Sequence, residues 1–583
     1  MEESNKSISK AKWLDAILVL LMVVIPLVLI KHYNVTAVFY NNDDLYLSEI
    51  VSGIMTGRPE GQLLHISYLT GMLISRLYII WPSVPWYGIF LFSLMYGSIV
   101  SAFAFMLFRA DKAICKIMMA IVADYMICSF FFCHLVEIQY TTVTIVVGAT
   151  ALVAFVLAKD CESVKGYLKN NIVSFLFFFL SFSIRDKACV MLLPVFFFFG
   201  LAKLFKNKKM FKPLLAYAMG LVAVMALLFG IERLGYSSER WTEFEKYNSA
   251  REQVMDYTGY PNYQEYREVY EEMGISEKSQ ASLPRYQLLL DENVNADFMM
   301  RMEEITAENK KFNLGSTIKH FITLHTTSYI DRPINIIVYF MYAVAIGLAL
   351  ISKKNKALYD VLALFLGRMV IWAYIMYIGR IMTRVTQGIY MLELMVLFAV
   401  IASNVLWIGQ KKAKQRTLVV ATVCVLAGTV FICHRWGLPY SEKIFYYNQS
   451  QMAYATCYKE IREYCEKSPE KLFLADTYSF SYFTEDIFAQ PEYSAANFIM
   501  LGSWTANSPW TDYVAKRYAI DSYEEAAIMR DNVYFIFMDS ELTPWQYLED
   551  YYAEKYPGSV TEIEEVLETS FGRDFFVIKV RQE

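Results

Sequence analysis

Charge is scarce in this chain. Of 583 residues only 19% are charged, against 56% hydrophobic and 16% aromatic, and 54 Lys and Arg set against 58 Asp and Glu leave a formal charge of −4. Without a cationic excess, attraction to nucleic acid or anionic lipid is excluded as the main function. So apolar a composition likewise excludes a disordered or collagen-like chain. The nine cysteines supply neither a disulfide framework nor a zinc-ligand spacing. Cys115, Cys128, Cys133, Cys189 and Cys424 fall in apolar segments, where a thiol behaves as a small hydrophobe. No repeat of roughly twenty to fifty residues is present, so solenoids are excluded. The first apolar run lacks a small-residue cleavage site and reads as a retained anchor.

What remains is a membrane protein. A spanning helix needs about 20 mostly apolar residues, and eleven such segments are expected, over 14–31, 86–108, 113–133, 138–158, 171–184, 188–204, 213–232, 333–352, 357–379, 388–408 and 417–433. Lysine and arginine collect in alternate loops (Arg109, Lys112, Lys116; Lys159, Lys165, Lys169; Lys203, Lys206, Lys208, Lys209; Lys353, Lys354, Lys356; Lys411, Lys412, Lys414, Arg416). That bias sets those loops and the amino terminus in the cytoplasm. The loops 32–85, 185–187, 233–332 and 380–387 and the carboxyl terminus are then external. The apolar run 62–81 fits this alternation only if it lies along the outer membrane surface, with His65, Met72 and Arg76 near one helical face; a true span with a miscount elsewhere is the alternative.

The expected fold is thus an α-helical polytopic membrane domain over 1–433, with a first external loop at 32–85 and a long working loop at 233–332. An extracytoplasmic α/β domain follows over 434–583. Its signals are a helical pattern at 447–466, the strand-like KLFLAD and NVYFIFMD, a helix near 543–556, and the strand pair TEIEEVLET and DFFVIKV.

Chemistry gathers in the external loops. YNNDDLYLSEIVSG, just after the first span, places Asp43 and Asp44 at the start of a helix with apolar Leu47, Ile50, Val51 and Ile54. Two readings stand side by side: ordinary helix capping, or a carboxylate base. LSFSIRDKACVMLLP places Arg185, Asp186 and Lys187 in a minimal turn, and YIGRIMTRVTQGIY sets Arg380 and Arg384 four apart on one helical face at the membrane boundary. Interfacial arginines can simply snorkel. Combined with carboxylates, they supply a base for a hydroxyl and cations for a phosphate leaving group.

An acidic pair soon after the first span, surface helices in the first loop, about eleven spans and an external carboxy-terminal α/β domain together resemble the GT-C class of integral-membrane glycosyltransferases. SIRDKACVMLLP and GRIMTR are similar to stretches of bacterial members. The resemblance implies transfer, at the outer face of the cell membrane, from a polyprenyl-phosphate-linked sugar to an envelope glycan or lipid acceptor, with inversion. It implies a first-loop base, Asp44 in slight preference to Asp43. Arg185, Arg380 and Arg384 are then the phosphate ligands, with Lys187 and Arg58 as further candidates. The WWD-like acceptor motif of oligosaccharyltransferases is missing, with TANSPWTDY its faintest echo, which disfavours protein glycosylation. No metal-ligating cluster accompanies Asp43 and Asp44, so no cofactor is expected and metal dependence stays open.

Three charges fall inside spans: Asp124, Arg368 and Glu393. Each is costly unless paired or facing water. A buried pair between Asp124 and Arg368, at similar depth, is the expectation. An ion pathway through them, and with it a transporter, is one alternative function; an envelope polysaccharide polymerase or ligase dependent on external arginines is the other. Trp504, Trp510 and Tyr513 are read either as interfacial anchors or as a sugar-stacking surface.

Overall fold

The structure, a computed structural model, describes residues 2–110, 112–307, 313–327, 333–351, 355–409, 415–489, 493–540, 545–570 and 572–583. Its first half runs α1 (Glu2–His32), β1 (Val38–Phe39), α2 (Asn42–Ser52), α3 (Tyr68–Ile80), α4 (Trp86–Leu107), α5 (Ala113–Cys128), α6 (Phe132–Val136), β2 (Glu137–Ile138), α7 (Tyr140–Leu157), α8 (Val164–Asn170), α9 (Ile172–Ile184), α10 (Asp186–Val190), α11 (Leu193–Lys206) and α12 (Phe211–Gly235). The long polar loop follows as α13 (Glu239–Gln253), α14 (Arg267–Glu272), α15 (Glu277–Ser282), α16 (Ala296–Ala307) and α17 (Leu314–Thr327). The bundle then resumes with α18 (Ile334–Ile351), α19 (Asn355–Ile378), α20 (Thr383–Gly409) and α21 (Gln415–Ile432). Last come α22 (Leu438–Glu466), β3 (Leu472–Ala475), β4 (Phe498–Met500), α23 (Pro509–Arg517), α24 (Tyr523–Met529), β5 (Val533–Met538), α25 (Gln546–Lys555), β6 (Ser559–Glu568) and β7 (Asp574–Gln582).

Each of the eleven apolar segments is helical. Among the described residues seven helices are long and apolar enough to cross a bilayer, or eight if α8 and α9, bent by 58°, form one span. The chain is therefore a polytopic helical membrane protein. The segment 62–81 holds only the 13-residue α3, about 20 Å at 1.5 Å per residue and too short for a roughly 30 Å hydrocarbon core. Its start is tied to the ends of two spans. The Tyr68 N–H donates to Glu232 Oε2 at 2.7 Å, and the Thr70 hydroxyl donates to the Ser183 carbonyl at 2.7 Å. His65 precedes this helix and does not share its face with Met72 and Arg76.

Helices α7 and α20 form the centre, each with 89% of its apolar stretch buried, against 17% for α1 and α12 at the rim. The sequence of α7, YTTVTIVVGATALVAFVL, is apolar on every side, as a helix surrounded by other helices must be. Its few polar groups hydrogen-bond across to neighbours. Thr150 donates to the Ser98 carbonyl, and Ser174 and Ser181 donate to the carbonyls of Ala151 and Thr144. Ion pairs Lys116–Asp15, Lys203–Asp160 and Lys206–Asp360 gather at the lysine-rich end.

At the other end, α22 leads into a five-stranded sheet of order β4-β3-β5-β7-β6. The strands β4, β3 and β5 are parallel, while β7 pairs antiparallel with both β5 and β6. Arg462 of α22, buried, reaches Glu49 of α2 at 3.7 Å and lies over the Phe498 ring, and the Tyr458 hydroxyl donates to Glu49 at 2.6 Å. On the bundle side, β1 pairs in parallel with β2, and the Tyr40 N–H donates to the Ile138 carbonyl at 2.8 Å. Helix α2 is thereby wedged between bundle and sheet, with residues 44–51 all buried.

The expected pairing of Asp124 with Arg368 is corrected. Arg368 of α19 pairs with Glu393 of α20, its Nη2 donates to His325 Nε2 at 2.8 Å, and the Tyr342 hydroxyl donates to Glu393 at 3.2 Å. Depth along the bundle allowed Asp124; the helix rotation turns Arg368 toward α20 instead.

Candidate functional site

A cavity of about 440 Å³ opens where α2, α7, α10, α13, α20 and the sheet unit meet. Its lining includes Asp43, Arg185, Arg251, Arg380 and Arg384, together with Glu252 and Asp256. Four arginines thus face three carboxylates in one cavity.

Asp43 stands in the first turn of α2, where the positive end of the helix dipole favours a negative charge. It caps nothing: Asn41, at the cap position, makes no side-chain cap bond, and its amide instead donates to Asp43 Oδ2 at 2.8 Å. The other contacts come from two distant parts of the chain. Trp504 Nε1 donates to Oδ1 at 3.1 Å, and Arg384 Nη1 lies 3.4 Å from Oδ2.

Asp44, the neighbour favoured on the sequence, points elsewhere. Successive residues on a helix are about 100° apart, and Asp44 turns into the core, fully buried, with Oδ1 accepting from the Tyr87 hydroxyl at 2.9 Å and the Tyr140 N–H at 3.3 Å. Burial raises its pKa well above the usual carboxylate range, and the Tyr87 hydrogen bond only partly offsets this. Asp43 thus faces the cavity and Asp44 does not line it.

Arg185 lies between α9 and α10. Its Nη1 donates to the Tyr140 hydroxyl at 3.1 Å and to Thr141 Oγ1 at 2.5 Å, which sets it over the amino-terminal turn of α7. Arg380 and Arg384 both reach the cavity, but not from one helical face. Gly379, at φ 78°, breaks the chain between α19 and α20, so Arg380 sits in the connection and Arg384 in the first turn of α20. Arg380 is neutralised by Asp256 at 3.0 Å and Glu252 at 3.5 Å. Burial raises the Asp256 pKa, against the pull of Arg380.

Two candidates lie outside. Arg58 pairs with Glu60 at 2.6 Å and covers the Tyr513 ring, with its side chain 60% exposed; Lys187 is exposed on α10. Neither lines the cavity.

Arg251 was missed by the sequence reasoning. It is buried on α13, its Nε donating to Asn248 at 3.0 Å, and among the described residues it has no carboxylate within ion-pair distance. Nothing in SAREQ distinguishes it from the other charges of that helix, beyond its place in a loop too long for a connector. His65 also enters the wall. Burial, and then Arg185 and Arg251, push its pKa well below the ordinary histidine range, so the imidazole is neutral. Of the three aromatics considered for sugar stacking, Trp504 lines the cavity, whereas Trp510 is core against Trp241 and Phe244 and Tyr513 sits beneath Arg58. Among the described residues no group of three or more His, Cys, Asp or Glu is placed to hold a metal ion.

Fold and site together define a polytopic helical membrane protein whose carboxy-terminal α/β unit closes a cavity lined by four arginines and three carboxylates. Over nearly its whole length the chain is similar to two solved structures of ArnT from Cupriavidus metallidurans. With the form bound to undecaprenyl phosphate it shares 9% identity at a TM-score of 0.48, covering 96% of this chain and 97% of that one. With the apo form it shares 11% identity at a TM-score of 0.42, at the same coverage. No family model and no curated protein sequence matches.

Proposed function

We propose that the protein is a membrane glycosyltransferase that moves a sugar from a polyprenyl-phosphate-linked donor to an acceptor hydroxyl of the cell envelope. The observation that carries this reading is the placement of Asp43, held by Trp504 on one side and Arg384 on the other within a cavity of four arginines. The sequence resemblance to GT-C enzymes also supports it. The lysine-rich loops set the opposite end of the bundle in the cytoplasm, so the reaction belongs to the outer face of the plasma membrane.

The residues divide the work. Arg185 and Arg251, which lack carboxylate partners among the described residues, and Arg384 bind the donor phosphate and stabilise the charge that develops on it as it leaves. Arg380, balanced by Asp256, contributes position more than charge. Asp43 takes the proton of the acceptor hydroxyl. The oxygen attacks the anomeric carbon, and the bond from that carbon to the phosphate oxygen breaks with its electron pair leaving on the lipid phosphate. One displacement with no carboxylate nucleophile inverts the anomeric centre.

The test uses the full chain in nanodiscs with a polyprenyl-phosphate-linked sugar. Asp43→Asn is expected to abolish transfer while the protein remains folded, with the product of inverted configuration by NMR. Transfer retained by Asp43→Asn would refute the assigned base, and transfer retained by Asp44→Asn as well would favour an arginine-dependent polymerase or ligase.

A further inference from the structure

The cavity has a second wall that differs in chemistry from the arginine side. It is built from residues 477–482, residues 503–504 and the loop at Tyr286, and its lining side chains are aromatic rings and hydroxyls: Tyr286, Thr477, Tyr478, Ser481, Tyr482 and Ser503. None is cationic. Tyr478 is tied down, its hydroxyl donating to the Pro284 carbonyl at 3.1 Å, but Tyr482 is 72% exposed, so core packing does not explain why that ring stands at this mouth.

The wall is also built against backbone preference. Tyr286 has φ 60° and Ser503 φ 73°, left-handed conformations that side chains other than glycine rarely adopt and that persist only when the surroundings enforce them. Here they are enforced from several sides. The Leu289 N–H donates to the Leu501 carbonyl at 2.8 Å, and the Thr477 hydroxyl donates to the Tyr286 carbonyl at 3.2 Å. Gly502 allows the closest approach, since a Cβ there would lie 1.5 Å from the Tyr286 oxygen. The Tyr286 and Tyr478 rings then meet edge to face at 5.8 Å.

Uncharged rings beside uncharged hydroxyls match a ligand of the same composition. The C–H face of a pyranose stacks on tyrosine, and its hydroxyls exchange hydrogen bonds with Ser, Thr and Tyr. A phosphorylated acceptor would meet no cation on this wall, and an acyl chain would bury its hydroxyls unsatisfied. Asp43 stands at the seam: Oδ1 faces Trp504 of this wall and Oδ2 faces Arg384 of the other.

Building on the glycosyltransferase reading, we propose that the wall of residues 477–482, 503–504 and Tyr286 is the acceptor subsite and that the acceptor is a neutral saccharide. Its hydroxyl gives its proton to Asp43 and bonds to the anomeric carbon of the donor sugar as the lipid phosphate departs with the electron pair.

The full chain in nanodiscs, fluorescently labelled, would be applied to an array of neutral and phosphorylated oligosaccharides, and separately to phosphatidylglycerol vesicles. Wild type is expected to bind neutral oligosaccharides, Tyr482→Ala to weaken that binding about tenfold, the scale of one aromatic contact, and Tyr482→Phe to restore most of it. Because Tyr482 is largely exposed, the variant folds. Binding confined to phosphorylated glycans or vesicles, or unchanged in Tyr482→Ala, would overturn the proposal. Donor turnover by wild type is measured alongside: its absence sinks the transferase reading, while the array still decides what the wall binds.

Discussion

Asp43 and Asp44 are adjacent and chemically identical, yet conservative substitution should separate them cleanly. Asp43→Asn keeps the hydrogen bond from Trp504 but removes the proton acceptor. General-base catalysis contributes about 10²–10⁴-fold, so the barrier should rise by roughly 2.7–5.4 kcal/mol at 1.36 kcal/mol per tenfold. Asp44→Asn keeps an oxygen for the Tyr87 hydroxyl and the Tyr140 N–H and should transfer sugar at close to the wild-type rate. It should also be the more stable protein. The buried Asp44 holds its proton to higher pH than the unfolded chain does, so stability falls as pH rises from about 3.9 toward the raised folded value. Asparagine has no such loss. Asp44→Ala, by contrast, strands two buried donors, at about 1–3 kcal/mol each, and should lower yield and melting temperature. The assays are transfer kinetics and thermal unfolding in the same detergent across pH 5–8. Loss of transfer by Asp44→Asn as complete as by Asp43→Asn, in a protein that still melts cooperatively, would refute this division of roles.

Three further outcomes are expected. Arg368→Ala leaves Glu393 buried without its cation and should destabilise by about 3–5 kcal/mol, with Glu393→Gln in the same chain recovering much of the loss; additive losses by thermal melt would refute the pairing. His65 is neutral in the folded state and charges more readily when unfolded, so its contribution is complete above about pH 6.5 and is lost as pH falls from there through the depressed folded value. His65→Gln should therefore flatten the acid side of a melting-temperature profile. Lys187→Ala and Arg58→Ala, both outside the cavity, should change transfer by no more than about twofold, the range of ordinary surface substitutions, whereas Arg185→Ala and Arg251→Ala should raise the donor KM well beyond that.

The apolar segments were legible because bilayer thickness sets their length, and the sheet unit because its central strands are short, continuously buried apolar runs such as LFLA and VYFIF. The rotation of α2 was not. Residues 44–51 are all buried, so the helix has no solvent face to betray its phase, and which aspartate meets the cavity is decided by Tyr87 and Tyr140 on other helices. The partner of Arg368 was misjudged for a related reason. Depth in the bundle can be counted along a sequence, but azimuth cannot, and Glu393 and Asp124 differ in azimuth. Arg251 was invisible because its membership depends on the fold of a polar loop back over the bundle.

These failures share a physical source, which also explains the carboxy-terminal unit. A carboxylate on a short helix between two spans has no fixed direction of its own. Here the direction is imposed from both faces: Tyr458 and Arg462 hold Glu49 behind the helix, and Trp504 and Arg384 hold Asp43 in front. Three of those four residues belong to the segment after the last apolar helix. A bundle without that segment would retain its arginines and its aspartate, but not the orientation that places one oxygen of the carboxylate toward each wall of the cavity. The α/β unit therefore acts as part of the site, and loss of the Arg462 contact to Glu49 would reach Asp43 through a single rigid helix of 11 residues.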